Sequence, residues 1–335
     1  MKALQYDHTG VPREALKLRE LPLPVPEPGA LRLRIAYAPI HPSDLNLIEG
    51  TYGTQAILPA IPGGEASAHV DAIGDGVEGF SPGQAVIFKR RFGTWREYLC
   101  APAADCHPLP EGIDLQQASM LLINPATAWR MLQDLMPLQP GDWVLQNAAN
   151  SAVGLSIIQV AKALGYRTCN LVRRAELCNS LSALGADHVI LDQAGAGRAI
   201  RERLGETTPV HLAFNAVGGD SALHLMNGLS PHGTLVTYGA MGRRPLKVPN
   251  GLLIFKGLQL RGFWLTDWFN STSPDAITKL FEALTDLSRT GGLRLPVAGC
   301  FALDDYEAAL EAAGSERRDG KILFKINPEL PQSSS

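Results

Sequence analysis

The chain has 335 residues, of which 45% are hydrophobic and 19% charged, and a chain of this size usually divides into two domains that each bury a core. The formal net charge of −3 argues against the strong basic field that holds nucleic acid or an acidic membrane surface. We therefore expect neither of these partners.

The N-terminal sequence MKALQYDHTG has no apolar signal core and no Arg/Ser-rich transit segment. No apolar run approaches the roughly 20 residues of a membrane helix. The five cysteines include no CxxC pair, which argues against a disulfide framework or a cysteine-rich zinc lobe and favours a reducing compartment. We predict a cytoplasmic protein, or one of the mitochondrial matrix if a transit peptide has been removed.

The first part of the chain, to about residue 118, is rich in Gly and Pro and in short β-prone runs. Examples are 31–38, 66–73 and 85–89, separated by turn clusters such as Ser-Pro-Gly at 81–83. This pattern predicts a mostly β domain.

The middle of the chain alternates between strand and helix patterns. Strand candidates are 143–148, 168–172, 188–191, 210–216, 234–238 and 258–263, and helix candidates are 153–164, 175–184 and 221–229. This alternation predicts an α/β domain with a parallel sheet and helices on both faces. A helix candidate at 274–290, a second near Asp304 and a strand at 321–326 are expected to return to the first domain. The predicted domains are 1–118 with 270–335, and 119–269.

A dinucleotide site is predicted where the strand starting at Trp143 runs through Gln-Asn-Ala-Ala-Asn-Ser into the helix that contains Gly154. Backbone N–H groups at the start of such a helix can hold a pyrophosphate, and small residues permit its close approach. The alternative is an ordinary strand–loop–helix connection in which Asn147 and Asn150 cap the helix.

The next strand ends in Arg173 and Arg174, where an NAD site usually carries an acidic residue that binds both ribose hydroxyls. A guanidinium group can pair with a 2′-phosphate that a carboxylate would repel. The sequence therefore favours NADPH over NADH. The alternative, that an arginine is solvated surface charge, is strongest for Arg174.

The ligand positions of zinc alcohol dehydrogenases are filled by other residues. His41 stands in the cysteine slot, and Gly64 replaces the histidine of their Gly-His-Glu segment. We expect no catalytic metal, and His41 is interpreted as a wall of the substrate pocket or as a buried histidine with its own partners. Without a metal, another device must stabilise the charge that develops during reaction.

Over nearly its whole length the sequence resembles the medium-chain dehydrogenase/reductase superfamily, and within it the mitochondrial-type trans-2-enoyl thioester reductases. The stretches that carry the resemblance are 42–53, 93–96, 124–132, 146–154, 236–241, 253–256 and 261–265. Gln-Asn-Ala-Ala-Asn-Ser and Arg-Gly-Phe-Trp-Leu are fairly specific among these. The resemblance implies a Rossmann-type doubly wound parallel sheet, a mostly β GroES-like domain and a homodimer formed through the cofactor domains.

The resemblance also implies roles for individual residues. The proton donor would be Tyr52, and His41, Asn46 and Trp264 would line the substrate pocket. The residues that would contact NADPH are Asn124, Asn150, Ser151, Ala152, Val153, Arg173, Arg174, Tyr238, Gly239, Ala240, Met241, Phe263, Trp264, Leu265 and Lys321. Two departures from the family's pattern, His41 in place of Asn and Arg-Arg-Ala at 173–175 in place of arginine, acid and arginine, leave open the exact substrate and the arginine that binds the 2′-phosphate.

The reaction implied is reduction of the C2=C3 bond of a 2-enoyl thioester of CoA or of acyl carrier protein. The thioester carbonyl makes the β-carbon electrophilic, so that it accepts a hydride, and the α-carbon then takes a proton from Tyr52 directly or through water. Other readings of the key side chains stay open: Tyr52 as a pocket lid, Trp264 as a core aromatic and Asn124 as a helix cap. Two other functions also stay open, an NADPH quinone or alkenal reductase and a non-catalytic NADPH-binding protein.

Overall fold

The computed structural model describes residues 1–205, 207–315 and 318–328. The chain forms two compact units, which we call the first unit (1–123 with 272–335) and the second unit (124–271). The sequence placed residues 119–123 in the second unit. They belong to the first because the Ile123 backbone N–H donates to Glu65 Oε2 at 2.9 Å, within the first unit.

The strands in chain order are β1 (Lys2–Gln5), β2 (Lys17–Glu20), β3 (Ala30–Pro39), β4 (Ser67–Ile73), β5 (Ala85–Phe88), β6 (Tyr98–Pro102), β7 (Cys106–Pro108), β8 (Trp143–Gln146), β9 (Arg167–Val172), β10 (His188–Leu191), β11 (Leu212–Asn215), β12 (Thr234–Thr237), β13 (Arg244–Leu246), β14 (Gln259–Gly262), β15 (Val297–Phe301) and β16 (Lys321–Lys325). The helices are α1 (Pro12–Ala15), α2 (Pro42–Glu49), α3 (Leu115–Ala118), α4 (Asn124–Asp134), α5 (Ala152–Ala163), α6 (Leu177–Leu184), α7 (Ala196–Leu204), α8 (Gly219–Gly228), α9 (Asn250–Ile254), α10 (Leu265–Ser271), α11 (Pro274–Arg289) and α12 (Tyr306–Gly314), with 3₁₀ turns at Ala103–Asp105 and Leu303–Asp305. Among the described residues, no helix is long and apolar enough to span a bilayer.

The first unit is built on a mostly antiparallel sheet. Over the described residues this sheet has seven strands, with the order β15-β16-β3-β4-β5-β7 and with β6 paired to β3. Leu31, Leu33 and Ile35 alternate along β3 and are fully buried, as expected for a strand with one face on the core. Because β16 pairs with β3, residues from both ends of the chain build one domain, as the sequence predicts.

The second unit contains a parallel sheet with the order β10-β9-β8-β11-β12-β14. Numbered by their order within this sheet, the strands run 3-2-1-4-5-6, which is the Rossmann arrangement. The order reverses between β8 and β11, so a crevice is expected at their carboxyl ends. The predicted fold class is therefore confirmed, although the sequence did not predict α7 between β10 and β11.

Candidate functional site

The loop between β8 and α5 leads into a helix whose first backbone N–H groups are open to a ligand. Ser151 caps α5, its Oγ accepting from the Gly154 N–H at 3.1 Å, so the cap is neither Asn147 nor Asn150. Within the described part of the chain, the N–H groups of Ala152 and Val153 have no hydrogen-bond acceptor. These groups and the positive end of the helix dipole suit a pyrophosphate.

Gly154 allows this loop to fold closely against its own helix. A Cβ atom at this position would lie 2.6 Å from the carbonyl oxygen of Ala149 and 2.7 Å from that of Ala148. Both neighbours are backbone atoms, so no side-chain movement could relieve the clash. The glycine in the motif is therefore required by the path of the loop.

Asn147 joins the loop to the neighbouring strand. Its buried side chain donates to Asn215 Oδ1 and to Ser221 Oγ, both at 2.8 Å, and accepts from the Ala216 N–H at 2.7 Å. These bonds connect the carboxyl ends of β8 and β11, where the strand order reverses. The sequence analysis considered Asn147 only as a helix cap, and a buried polar residue at a strand end is the signal that could have shown its supporting role.

The two predicted arginines directly follow β9. Arg173 is exposed, whereas Arg174 is half-buried with its Nε 3.7 Å from Glu176 Oε1. The acid that follows the next strand, Asp192, binds Ser221 Oγ at 2.5 Å and His224 Nδ1 at 2.7 Å. Of the two arginines, Arg173 is therefore the one whose side chain is open to solvent, whereas Arg174 lies beside an acidic residue.

The remaining predicted cofactor residues of the second unit follow β12 and β14. The turn at 238–241 is held to the end of β11, because Tyr238 N–H donates to Asn215 O at 3.0 Å and Met241 N–H to Ala216 O at 2.8 Å. Phe263 N–H donates to Thr237 O at 3.0 Å, Trp264 is partly exposed and Leu265 begins α10. Burial raises the pKa of the Tyr238 hydroxyl, and the Ser151 side chain opposes this rise.

Predicted residues from four strand ends thus share one edge of the sheet. They follow β8 (Asn150, Ser151, Ala152 and Val153), β9 (Arg173 and Arg174), β12 (Tyr238, Gly239, Ala240 and Met241) and β14 (Phe263, Trp264 and Leu265). Ligands of open α/β sheets bind at this carboxyl edge. Asn124 instead is the first residue of α4, where it is buried inside the helix and is not its cap.

A buried ionic cluster lies in the first unit, at the start of α2. His41 Nε2 lies 2.6 Å from Glu65 Oε1, and Lys321 Nζ lies 2.9 Å from both His41 Nδ1 and the Ile40 carbonyl oxygen. These side chains are almost fully buried. We assign the proton of a neutral His41 to Nε2, because Nδ1 accepts from the lysine. Lys321, predicted to contact the cofactor, is thus bound to the residue in the former cysteine slot.

Burial shifts the protonation of every member of this cluster. Burial raises the pKa of Glu65, and the charge of Lys321 opposes this rise. Burial lowers the pKa of Lys321, and the charge of Glu65 opposes this fall. Burial and the charge of Lys321 hold the pKa of His41 well below its usual range. Burial also raises the pKa of Asp44. Each charge here depends on a partner, since an isolated buried charge is strongly disfavoured.

Gly64, which stands where zinc alcohol dehydrogenases are expected to carry a ligand histidine, lies beside an arginine. A Cβ atom on Gly64 would lie 2.8 Å from Arg91 Nη2, so a guanidinium group lies beside this glycine. Among the described residues, no three His, Cys, Asp or Glu side chains are grouped so that they could hold a metal ion. Arg91 was missed by the sequence analysis, and no motif marks it.

Tyr52 lies just beyond the end of α2. The helix ends at Gly50, whose φ of 74° is in the left-handed region, and the backbone N–H of Tyr52 donates to the Asn46 carbonyl at 3.2 Å. The Tyr52 side chain is half-buried, and the Arg91 guanidinium carbon lies 5.9 Å from its ring centroid. Asn46 thus lies within α2, the helix that His41 caps, and Tyr52 lies just beyond its end.

Lys321→Met should lower the free energy of unfolding by about 3–5 kcal/mol once Glu65 is ionised, because the carboxylate would lose its buried cation. The loss should grow as the pH rises through the folded pKa of the wild-type Glu65, about 8, since below that value the carboxyl group keeps its proton in both folded proteins. A carboxyl group whose pKa is raised by folding keeps its proton only in the folded state, which costs more at higher pH. Protonation of His41 at low pH would place a cation beside Glu65, so it would also make the loss of stability smaller at low pH than at high pH.

Urea unfolding at about pH 6.5 and about pH 9 measures this difference. Arg91, Arg318, Asp44 and His41 also face the pair and are kept in both variants. The control is Lys325→Met, which changes an exposed lysine of the same strand and should alter stability little at either pH. A Lys321→Met loss that is equal at both pH values would contradict this account of the cluster.

Comparisons with known proteins agree with this architecture. The family described as "Alcohol dehydrogenase GroES-like domain" matches residues 27–111, and the family described as "Zinc-binding dehydrogenase" matches residues 152–283. The human mitochondrial enoyl-[acyl-carrier-protein] reductase is 42% identical over 318 residues, which cover 93% of this chain and 85% of that protein. The Arabidopsis thaliana protein of the same name is 36% identical, covering 93% and 84%.

Solved structures give the same result. A mutant form of the enoyl thioester reductase from Candida tropicalis has a TM-score of 0.86 and 26% identity, covering 97% of this chain and 99% of its own. The complex of Etr1p with NADP and crotonyl-CoA has a TM-score of 0.87, 26% identity and the same coverage. The fold, the site residues and these relatives together show that the chain belongs to the family of the mitochondrial enoyl-[acyl-carrier-protein] reductases, within the medium-chain dehydrogenase/reductase superfamily.

Proposed function

We propose that this protein is an NADPH-dependent reductase that reduces the C2=C3 double bond of 2-enoyl thioesters without zinc. One observation carries the proposal. At the carboxyl edge of the parallel sheet, the N–H groups of Ala152 and Val153 have no acceptor among the described residues, and the exposed Arg173 follows the neighbouring strand. The thioester substrate is supported by the relatives named enoyl-[acyl-carrier-protein] reductase and by the relative solved with NADP and crotonyl-CoA.

The residues of the second unit fit NADPH. The N–H groups of Ala152 and Val153 would hold the pyrophosphate, and Arg173 would pair with the 2′-phosphate. When bound, NADPH supplies the hydride that the β-carbon accepts. The absence of zinc is supported by Gly64, which carries no ligand, and by Lys321, whose ammonium group contacts His41 Nδ1.

Tyr52 would supply the proton. A phenol keeps its proton at neutral pH and can donate it to the α-carbon. The side chain is half-buried, so it is partly shielded from water. Asn46, within α2, would line the acyl pocket. His41 and Trp264 stay proposals as substrate contacts. Lys321 and Asn124 stay proposals as cofactor contacts.

A second candidate is NADPH quinone reduction, which is favoured by one observation. A mycobacterial quinone oxidoreductase shares this fold with a TM-score of 0.85 and 25% identity, covering 97% of this chain. A quinone would accept the same hydride from NADPH, and its reduction would not require a proton to be added to a carbon atom.

NADPH oxidation with crotonyl-CoA and with a benzoquinone, in the wild type and in Tyr52→Phe, separates these functions. We expect faster oxidation with the enoyl thioester, and we expect Tyr52→Phe to lower that turnover by about 10²–10⁴-fold because the general acid is lost. The variant should still bind NADPH, because the cofactor residues are unchanged, and its quinone rate serves as the control. A reductase of quinone alone would disprove the thioester assignment, and tight NADPH binding without any turnover would indicate a binding protein.

Arg173→Ala should weaken NADPH binding by about 10- to 100-fold and leave NADH binding nearly unchanged. The reason is that a charge-assisted bond to the 2′-phosphate contributes roughly 1.5–3 kcal/mol. Dissociation constants for both cofactors measure the effect. Arg198→Ala is the control, since Arg198 is exposed on α7 and pairs with Glu202. If both cofactors lose affinity equally, Arg173 does not read the phosphate.

The homodimer is proposed to form through the edge strand β14. All four residues of this strand are exposed, and two large apolar side chains close to it in sequence, Ile254 and Phe255, are 70% and 87% exposed. An open apolar edge favours pairing with a second copy about a two-fold axis. A relative from Candida tropicalis is described as an Etr1p/Etr2p heterodimer.

Phe255→Lys and Leu260→Lys together should convert a dimer into a monomer, because they place like charges on both sides of the proposed axis. Sedimentation velocity measures the change in mass. Lys279→Glu, on α11 of the first unit, is the control and should leave the mass unchanged. A wild-type chain that sediments as a monomer would disprove the proposed dimer.

The cellular location and the acyl carrier stay proposals. The curated relatives are mitochondrial by name, which supports the mitochondrial matrix over the cytoplasm. The same names support acyl carrier protein as the carrier, whereas the relative solved with crotonyl-CoA supports CoA.

A further inference from the structure

Arg91 contacts two parts of the first unit: the first turn of α2, and Tyr52, the proposed proton donor, which follows the same helix. Its Nη2 donates to Asp44 Oδ1 at 2.9 Å, and its guanidinium carbon lies 5.9 Å from the ring centroid of Tyr52. Weaker contacts at 3.4 Å and 3.5 Å reach Ser43 Oγ. One cation therefore contacts the first turn of α2 and the tyrosine that follows the same helix.

The space for this cation is provided by a glycine. A Cβ atom on Gly64 would lie 2.8 Å from Arg91 Nη2 and 2.9 Å from its Cζ. Any larger residue at this position would move the guanidinium group. The arginine is 29% exposed, so it is neither a core residue nor a fully solvated surface charge.

Asp44 fixes the arginine at this position. Its carboxylate is 1% exposed and also accepts from the His41 backbone N–H at 3.0 Å, within the first turn of α2. Burial raises the pKa of Asp44, and the charge of Arg91 is the largest influence that lowers it again. A charged pair of this kind, supported by helix bonds, holds the guanidinium group in one orientation.

The same helix positions the tyrosine. The Asn46 carbonyl accepts from the N–H groups of both Thr51 and Tyr52, at 2.9 Å and 3.2 Å. Tyr52 is therefore held by the last turn of α2, and Arg91 by the first turn. The distance between the guanidinium group and the ring is set by this one element.

We propose that Arg91 is a positioning residue for Tyr52, which holds the phenol ring in the orientation that proton transfer needs. This inference rests on the proposed role of Tyr52. In the transfer, the O–H bond of Tyr52 breaks and a C–H bond forms from the electron pair at the α-carbon of the substrate. A phenolate remains, which takes a proton from a water molecule and releases hydroxide to the solvent. The guanidinium group attracts the face of the ring and thereby restricts its orientation.

A double-mutant cycle tests this coupling on the full-length protein. The turnover number with crotonyl-CoA and NADPH is measured for the wild type, Arg91→Gln, Tyr52→Phe and the double variant. Arg91→Gln should lower turnover by about tenfold, since a partly desolvated cation–ring contact contributes on the order of 1–2 kcal/mol. In the Tyr52→Phe background, Arg91→Gln should cause little further loss, because the hydroxyl through which it acts is gone.

The matched control is Arg90→Gln. Arg90 is the preceding residue, and its Nε donates to Asp105 Oδ1 at 2.9 Å, away from Asp44. This variant should keep the wild-type turnover. Arg91→Lys keeps the cation for Asp44, so it should fold even if Arg91→Gln does not. The lysine lacks the planar fork of the guanidinium group, and it should lower turnover severalfold in the wild type and not in Tyr52→Phe.

A solvent isotope effect gives a readout that a merely structural role would not move. The ratio of turnover in H₂O to that in D₂O should rise in Arg91→Gln, because proton transfer from Tyr52 becomes slower relative to the other steps. Equal loss of turnover in both backgrounds, or no loss in either arginine variant, overturns the inference about Arg91 alone. Unchanged turnover in Tyr52→Phe overturns the proton-donor role and with it this inference.

Discussion

The architecture of the first unit depends on one buried contact, in which Lys321 reaches back across the sheet to the Ile40 carbonyl and to His41, 281 and 280 residues away in the chain. A buried ammonium group is tolerated only with close partners, and Glu65 supplies the opposite charge. The contact joins β16 to the start of α2. The position of that helix, and therefore of the tyrosine that follows it, thus depends on where the C-terminal strand pairs.

His41 and Gly64, which stand where the sequence comparison with zinc alcohol dehydrogenases expects metal ligands, belong to an ionic cluster. His41 contacts a carboxylate on one side and an ammonium group on the other, and the glycine at 64 makes room for a guanidinium group. The lysine and the two carboxylates of this cluster are buried, whereas the side chain of Arg91 is 29% exposed. Such a cluster fixes its geometry through several short polar contacts.

The second unit carries the residues that are suited to binding a charged dinucleotide. All of its predicted cofactor residues except Asn124 follow the carboxyl ends of parallel strands, and the loop after β8 is tied to β11 by Asn147. The loop is therefore held by side-chain bonds at its first residue and by a cap at its last, Ser151. The N–H groups of Ala152 and Val153, which follow the cap, stay available for phosphate oxygens.

The sequence by itself determined the parallel sheet, its helices and the cofactor edge, because their signals are local: hydrophobic periodicity, small residues at a strand end and an arginine where an acid is usual. It did not show α7, in which four of the nine residues Ala-Gly-Arg-Ala-Ile-Arg-Glu-Arg-Leu are charged and Ile200 is the one large side chain that is buried. It also placed residues 119–123 in the wrong unit, since the bond from Ile123 to Glu65 is a contact across 58 positions. Only the tertiary structure decided the partners of Lys321 and the place of Arg91. Both depend on charges brought together from distant segments, and no local pattern records which buried charge will meet which.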